Sequence, residues 1–412
     1  MDYKITVPQA IEATIALPAS KSVSARALVI NALCRDECEL RNVAVCDDTH
    51  SLVQGLELEC GTIDVGAAGT AMRFLTAFHA CKPGHDVVID GCERMRKRPI
   101  APLVDALKQL GANIEYTDHE GFPPLHIKGT QLHGAQKISM RGDVSSQFVT
   151  ALMLISPTIG GLEIELVGEI VSAPYIDMTM AVMRHYGIEC RWIENTITIP
   201  AGEYIAAPLT VEADWSAASY WLALQALLPD SHISLEGLQN DSWQGDSRML
   251  TFMQQMGLRG IWGDDGTLTL DMSNVACCCC STFADLNGTP DLAPTMIVML
   301  CLLGRPFRLT GLRTLAIKES DRLEALRIEL GKLGYLIQLE GNDAVSWHFQ
   351  TCAHQSEPCI DSHRDHRIAM SMALAATHHP GIVIKNAEVV EKSYPAFWKH
   401  LSKTGFSIEQ VL

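Results

Sequence analysis

The chain has 412 residues, 47% of them hydrophobic and 19% charged, with a formal net charge of −16 at pH 7. Those figures describe a soluble globular protein with room for two domains, each with its own core. The acidic balance argues against a nucleic-acid partner, which selects for a basic face, and no apolar run is long and unbroken enough to suggest a membrane span.

Met1 to Pro8 reads as a strand and not as a charged lead into an apolar run, so no targeting segment is expected there. Next comes Leu17-Pro18-Ala19-Ser20-Lys21-Ser22-Val23-Ser24-Ala25-Arg26, a hydroxyl-rich loop with two cations, and then the apolar helix Ala27 to Leu33. Free amides at a helix start carry partial positive charge, so serines with Lys21 and Arg26 there form a natural seat for a phosphate or carboxylate. A plain serine N-cap with two solvated cations is the competing reading.

That helix has relatives along the chain, beginning at Thr70, Ser145, Trp215, Asp291 and Asp365. Most open on a hydroxyl, an Asp or a cation and then turn apolar on nearly every face, the pattern of a helix enclosed by other structure. Between them run amphipathic helices stopped by glycine: Arg98 to Gly111, Asp321 to Gly334, others ending at Gly187, Gly257 and Gly405, and a weaker one from Ser51 to Gly61. Glycine after the last turn is the expected left-handed stop. Short alternating strands, such as Leu162 to Val167 and Leu268 to Met272, fill the gaps.

The chain is therefore expected to hold six copies of one unit, spaced by roughly 70 residues with a shorter first copy. Six units too small to close a core singly suggest two clusters of three, with a seam between Val211 and Asp214. If the buried helices of each cluster point the same way, their charged N-termini converge on one face. The natural guest of such a face is a small molecule with several negative charges.

The 14 cysteines are scattered through apolar segments such as the one holding Cys301. A reduced, cytoplasmic protein is the reading they support. The run Cys277 to Cys280 contains a C-x-x-C spacing but lacks the second ligand pair of a zinc site, so no metal is assigned to it.

Six ordered motifs then carry a family resemblance: Leu17 to Arg26, Gly66 to Arg73, Arg94 to Ile100, Gly142 to Phe148, Lys318 to Arg322 and Asp365 to Arg367. Together they resemble the 5-enolpyruvylshikimate-3-phosphate synthases, in order and over nearly the whole chain. The resemblance implies a two-domain inside-out α/β barrel, each domain built of three βαβαββ units around a pseudo-threefold axis. Residues 21–212 would form one domain, and residues 1–20 with 213–412 the other, with the active site in the cleft between them. It also implies a reaction: shikimate 3-phosphate and phosphoenolpyruvate give 5-enolpyruvylshikimate 3-phosphate and inorganic phosphate, without metal or organic cofactor. A cytoplasmic monomer is expected, with small-molecule substrates and neither nucleic acid nor membrane as partner.

By the same resemblance Lys21, Gly69, Arg98, Gln147, Arg322, Arg367 and Lys392 hold phosphoenolpyruvate, with Arg73 as a local support. Planar guanidinium forks suit its phosphate and carboxylate. Ser22, Arg26, Ser145, Ser146, Gln147, Ser172, Tyr175, Asp291, Thr314 and Lys318 match positions for shikimate 3-phosphate. Ser145 and Ser146 also read as an N-cap pair. The chemistry needs one group to take the hydroxyl proton and another to deliver a proton to C3, both among cations. Asp291 and Glu319 are the candidates, with Lys21 stabilising the intermediate and the departing phosphate, and His366 orienting.

The sequence departs from the family pattern at Ala19, Ala67, Phe74, Ala173 and Thr314. Two other functions remain open at this point: enolpyruvyl transfer to UDP-N-acetylglucosamine, and non-catalytic binding of a phosphometabolite.

Overall fold

The computed structural model describes residues 1–272 and 281–411, so the cysteine run 277–280 lies outside the described residues. The chain divides into two compact units, one formed by Met1–Ala19 with Glu212–Leu412 and the other by Ser20–Val211. Among the described residues no helix is long and apolar enough to cross a membrane.

In the unit that holds both chain ends, three four-stranded sheets repeat one pattern. A strand, a buried helix, a parallel strand, an outer helix and an antiparallel hairpin follow one another. The middle copy shows it whole: Thr282–Asp285 pairs in parallel with Phe307–Thr310 across the helix Ala293–Leu302, and Arg322–Lys332 then leads into the hairpin Gln338–Glu340 and Ala344–Trp347. The other two copies borrow a strand each from the chain start. Glu12–Ala16 runs parallel to His232–Glu236, and Asp2–Thr6 lies antiparallel between Ile382–Lys385 and Ser407–Val411.

Ser20–Val211 carries the same pattern twice and truncated once. Cys60–Asp64 pairs in parallel with Asp86–Asp90, and Gln136–Arg141 with Leu162–Val167. The remaining copy, with the helices Lys21–Leu33 and Asp47–Glu57, has only Leu40–Arg41 beside Leu209–Thr210 and no hairpin. This is the shorter first copy expected from the repeat spacing.

Each unit wraps its sheets around packed apolar helices. The helix Trp215–Leu227 is buried at twelve of its positions, among them Trp215, Trp221, Leu222 and Leu224. Burying one such large side chain is worth about 1.5–3 kcal/mol, and no solvated face remains to give the helix amphipathicity. Where this helix meets Ala293–Leu302 and His366–Ala373, three buried hydroxyls form a ladder. Ser219 lies 3.3 Å from Thr295 and Thr295 lies 3.4 Å from Ser371, each step 76 residues along the chain. Equal steps of sequence meeting at one point are what a threefold repeat produces.

The expected glycine stops adopt the left-handed conformation, with φ of 95° at Gly111, 86° at Gly187 and 97° at Gly334. The helix expected from Arg98 instead spans Ala101–Gln109. Pro99 disfavours helical geometry in the residue before it, and Arg98 is extended at φ −91° and ψ 126°. The weaker helix begins earlier than its expected Ser51, at Asp47, where two acids occupy its first turn.

Candidate active site

In Ser20–Val211 the cations sit where helix starts meet. Ser20 caps the helix Lys21–Leu33, accepting from the amide of Val23 at 3.4 Å. Lys21, its first residue, reaches Asp48 Oδ2 at 2.8 Å. One turn on, Arg26 is 4% exposed and spends its donors on neutral groups: Thr179 Oγ1 at 2.9 Å, the carbonyls of Ser22 at 2.8 Å and Tyr175 at 3.1 Å, and Thr150 Oγ1 at 3.4 Å. Burial lowers its pKa to about 10, which the Tyr175 hydroxyl opposes. A desolvated guanidinium surrounded by neutral acceptors is an attractor for an anion.

A second group forms at the helix Gly69–Ala80, whose N-terminus has no side-chain cap. Arg73 ties this turn to the Arg98 segment, donating to the carbonyl of Gly69 at 3.1 Å and to that of Pro99 at 3.1 Å. The Arg98 guanidinium consequently lies against Gly69, so close that an added Cβ would stand 2.7 Å from its Nη1. Glycine is required for that approach. The Gln147 amide reaches Thr70 Oγ1 at 3.1 Å, which brings the helix Ser146–Ile155 to the same place. Ser145 caps that helix through the Gln147 amide at 3.3 Å, and Ser146 is buried in its first turn. Ser172 takes a left-handed φ of 57° before the helix Ala173–His185, and its carbonyl accepts from the Tyr175 amide at 3.0 Å.

The other unit gathers opposite charges around one arginine. Arg322, 1% exposed, donates to Asp291 Oδ1 at 2.9 Å, Glu319 Oε2 at 2.8 Å and Asp365 Oδ2 at 2.8 Å. Two of these acids meet further cations. Asp291 lies 3.3 Å from Lys318 and 3.1 Å from Arg367, and Glu319 Oε1 lies 2.9 Å from Lys392. Asp291 does not open the buried helix itself; it stands in a 3-10 turn, Pro290–Leu292, that Pro290 starts and the helix Ala293–Leu302 continues. Asp365 caps the helix His366–Ala373 through the Arg367 amide at 2.9 Å.

Burial alone pushes the Asp291 carboxyl up, but Arg367, Lys318 and Arg322 together outweigh it and hold the group well below the usual carboxylate range. For Arg322 burial opposes the charge, and Asp365, Glu319 and Asp291 more than restore it, so its pKa is raised. His366 is buried 3.7 Å from Asp365 Oδ1. Thr314 is buried as well, and among the described residues its hydroxyl has no hydrogen-bond partner. No group of three or more His, Cys, Asp or Glu is placed to hold a metal ion among the described residues.

Asp48, Ser216 and Asp246 join these clusters without having been expected from the sequence. Ser216 accepts from Arg367 at 3.2 Å and donates to Asp246. Nothing local marks them, since an acid in a loop or first helical turn is commonly a cap or a solvated charge.

Known proteins match the sequence over nearly its whole length. The sequence model of EPSP synthase (3-phosphoshikimate 1-carboxyvinyltransferase) matches residues 5–59 and 54–401. A 3-phosphoshikimate 1-carboxyvinyltransferase of Bacteroides fragilis strain YCH46 is 44% identical over 411 residues, covering 99% of each chain. The chain belongs to the EPSP synthase family. A second family member, from Syntrophobacter fumaroxidans, is 36% identical over 427 residues and covers 95% of this chain and 97% of its own. The solved EPSP synthase of Acinetobacter baumannii shares the fold, with a TM-score of 0.75 at 20% identity, covering 99% of this chain and 100% of the other.

Against the EPSP synthase pattern, Phe74 is the departure with the clearest structural consequence. Its ring lies 5.9 Å from the Arg26 guanidinium carbon, so it adds a cation–π contact to a cation already stripped of water. Ala173 begins its helix beside Pro174, and Ala67 is exposed.

Proposed function

We propose that the chain transfers the enolpyruvyl group of phosphoenolpyruvate to the 5-hydroxyl of shikimate 3-phosphate, releasing inorganic phosphate. The observation that carries this reading is the bridge of Arg322 between Asp291 and Glu319, with a second cation on each acid. Two acids held among four cations match a reaction that moves two protons while negative charge builds on the substrate.

Arg322, Arg367, Lys392, Lys21, Arg98, Gln147 and the Gly69 amide would bind phosphoenolpyruvate. Arg26, Ser22, Ser145, Ser146, Ser172 and Tyr175 would receive shikimate 3-phosphate, together with Gln147, Lys318, Thr314 and Asp291. The substrate anions compete for the cations that Asp291 and Glu319 engage. As those cations turn to the ligand, both carboxylates gain proton affinity.

Asp291 then takes the 5-hydroxyl proton as the oxygen attacks C2. Glu319 gives a proton to C3, forming the tetrahedral intermediate. Loss of a methyl proton back to Glu319 and departure of phosphate, which takes the proton held by Asp291 while Lys21 meets its charge, complete the transfer. The family resemblance supports a cytoplasmic monomer working without metal or organic cofactor.

The decisive test is phosphate release from phosphoenolpyruvate, with shikimate 3-phosphate and UDP-N-acetylglucosamine as alternative acceptors. Release with the first alone is expected. Release only with the second, or binding without release, would replace this reading.

A further inference from the structure

Arg367 is held from two sides, and only Asp291 on one side has been given a part in the reaction. On the other side stands Asp246, in the short turn Gly245–Ser247. The Gln244 side chain fastens that turn to the start of the helix Trp215–Leu227. Its Nε2 donates to the Ala213 carbonyl at 2.8 Å, its Oε1 accepts from the Trp215 amide at 3.2 Å, and its own amide donates to Ser242 Oγ at 3.0 Å.

So anchored, Asp246 is 5% exposed and accepts the hydroxyl proton of Ser216. A hydroxyl has a single proton to give. With that proton committed to Asp246, the Ser216 lone pairs are left for Arg367, whose Nη2 donates to Ser216 at 3.2 Å and to Asp291 Oδ2 at 3.1 Å. The chain of contacts runs Asp246, Ser216, Arg367, Asp291.

Asp246 is also expensive. Its Oδ1 has no hydrogen-bond partner among the described residues. Burial pushes its carboxyl up to about 6; Arg367 and the Ser216 hydroxyl oppose that shift, and the charges of Asp291 and Asp214 add to it. A buried carboxylate with half its acceptor capacity unused is destabilising, and a fold selected for stability alone has no need of it.

We propose that Asp246 is a positioning residue: as a carboxylate it fixes the Ser216 proton and thereby the orientation of Arg367 toward the anionic substrate. This rests on the reading of Arg367 as a ligand of phosphoenolpyruvate.

The test measures kcat and KM for phosphoenolpyruvate at saturating shikimate 3-phosphate, from about pH 5 to 9, for wild type, Asp246→Asn, Ser216→Ala and the double variant. Loss of one hydrogen bond should raise KM for phosphoenolpyruvate by roughly 2- to 10-fold in each single variant, with the double variant no worse than either. Wild-type kcat/KM should fall as pH drops through about 6, and Asp246→Asn should lose that inflection, which a merely structural role would leave in place. An unchanged KM and pH profile in Asp246→Asn, or additive effects in the double variant, would overturn the proposal. Ser216→Ala carries the test if Asp246→Asn does not fold. A wild type that releases no phosphate would instead defeat the functional reading. Crystal structures of the variants then still read the relay, and Arg367 unmoved from its wild-type position in both would overturn it.

Discussion

Arg322 Nη1 lies 2.9 Å from Asp291 Oδ1, and the same guanidinium reaches Glu319 at 2.8 Å through its other terminal nitrogen. The two acids proposed to move protons are thus held by one buried cation. Its charge reaches both.

Replacing Arg322 with Ala removes that charge from beside three carboxylates, of which Asp291 keeps Lys318 and Arg367 and Glu319 keeps Lys392. Turnover should fall by about 3–4 kcal/mol of transition-state stabilisation, as for loss of an oxyanion-type donor, and stability by about 3–5 kcal/mol. Lys21→Ala should cost a similar amount of activity and far less stability, since Lys21 is less buried than Arg322. Steady-state kinetics with thermal melts separate the two effects. Normal turnover in both variants would dismiss the assignment.

Asp291→Asn keeps the shape of the side chain but exchanges one acceptor oxygen for an NH2 donor and cannot take a proton. kcat should drop by about 100-fold or more while the affinity for shikimate 3-phosphate changes little. Equilibrium titration of that ligand beside single-turnover rates would show the split, and an equal loss in both would make Asp291 a binding residue only.

Gly69→Ala puts a methyl group 2.7 Å from the Arg98 Nη1. The backbone there does not need a left-handed φ, so the fold should tolerate the change and the guanidinium must move. KM for phosphoenolpyruvate should rise by roughly tenfold or more with little change in melting temperature. An unaltered KM would mean that Arg98 does not touch this substrate.

Asp246 has a folded-state pKa raised from 3.8 to about 6. A raised carboxyl contributes stability that is present at low pH and lost as pH rises through the folded value. Asp246→Asn should therefore be the more stable protein at pH 7, by up to about 3 kcal/mol, with the gap closing below about pH 4. Chemical denaturation at the two pH values measures it. A less stable variant at pH 7 would mean that the carboxylate is better satisfied than its surroundings indicate.

Local pattern carried much of this protein. The enclosed helices, the glycine stops at Gly111, Gly187 and Gly334 and the cations at the helix starts all depend on a few consecutive residues, and all were legible in the sequence. The family resemblance supplied the residue roles and the reaction, neither of which periodicity or spacing could provide. A proline outweighed the helical pattern at Arg98, and that extended linker is what lets its guanidinium lie against Gly69.

What the sequence alone determined, then, was the inventory: which segments bury, where glycine stops a helix, and which charged side chains wait near the helix ends. Tertiary structure decided their partners. Lys21 finds Asp48 across 27 residues, Arg322 finds Asp291 across 31, and Arg367 finds Ser216 across 151. Helix and turn preferences act over a few bonds of backbone, whereas an ion pair depends on which elements pack side by side. For that reason Asp246, an ordinary loop acid by every local rule, gained its environment only when the chain folded.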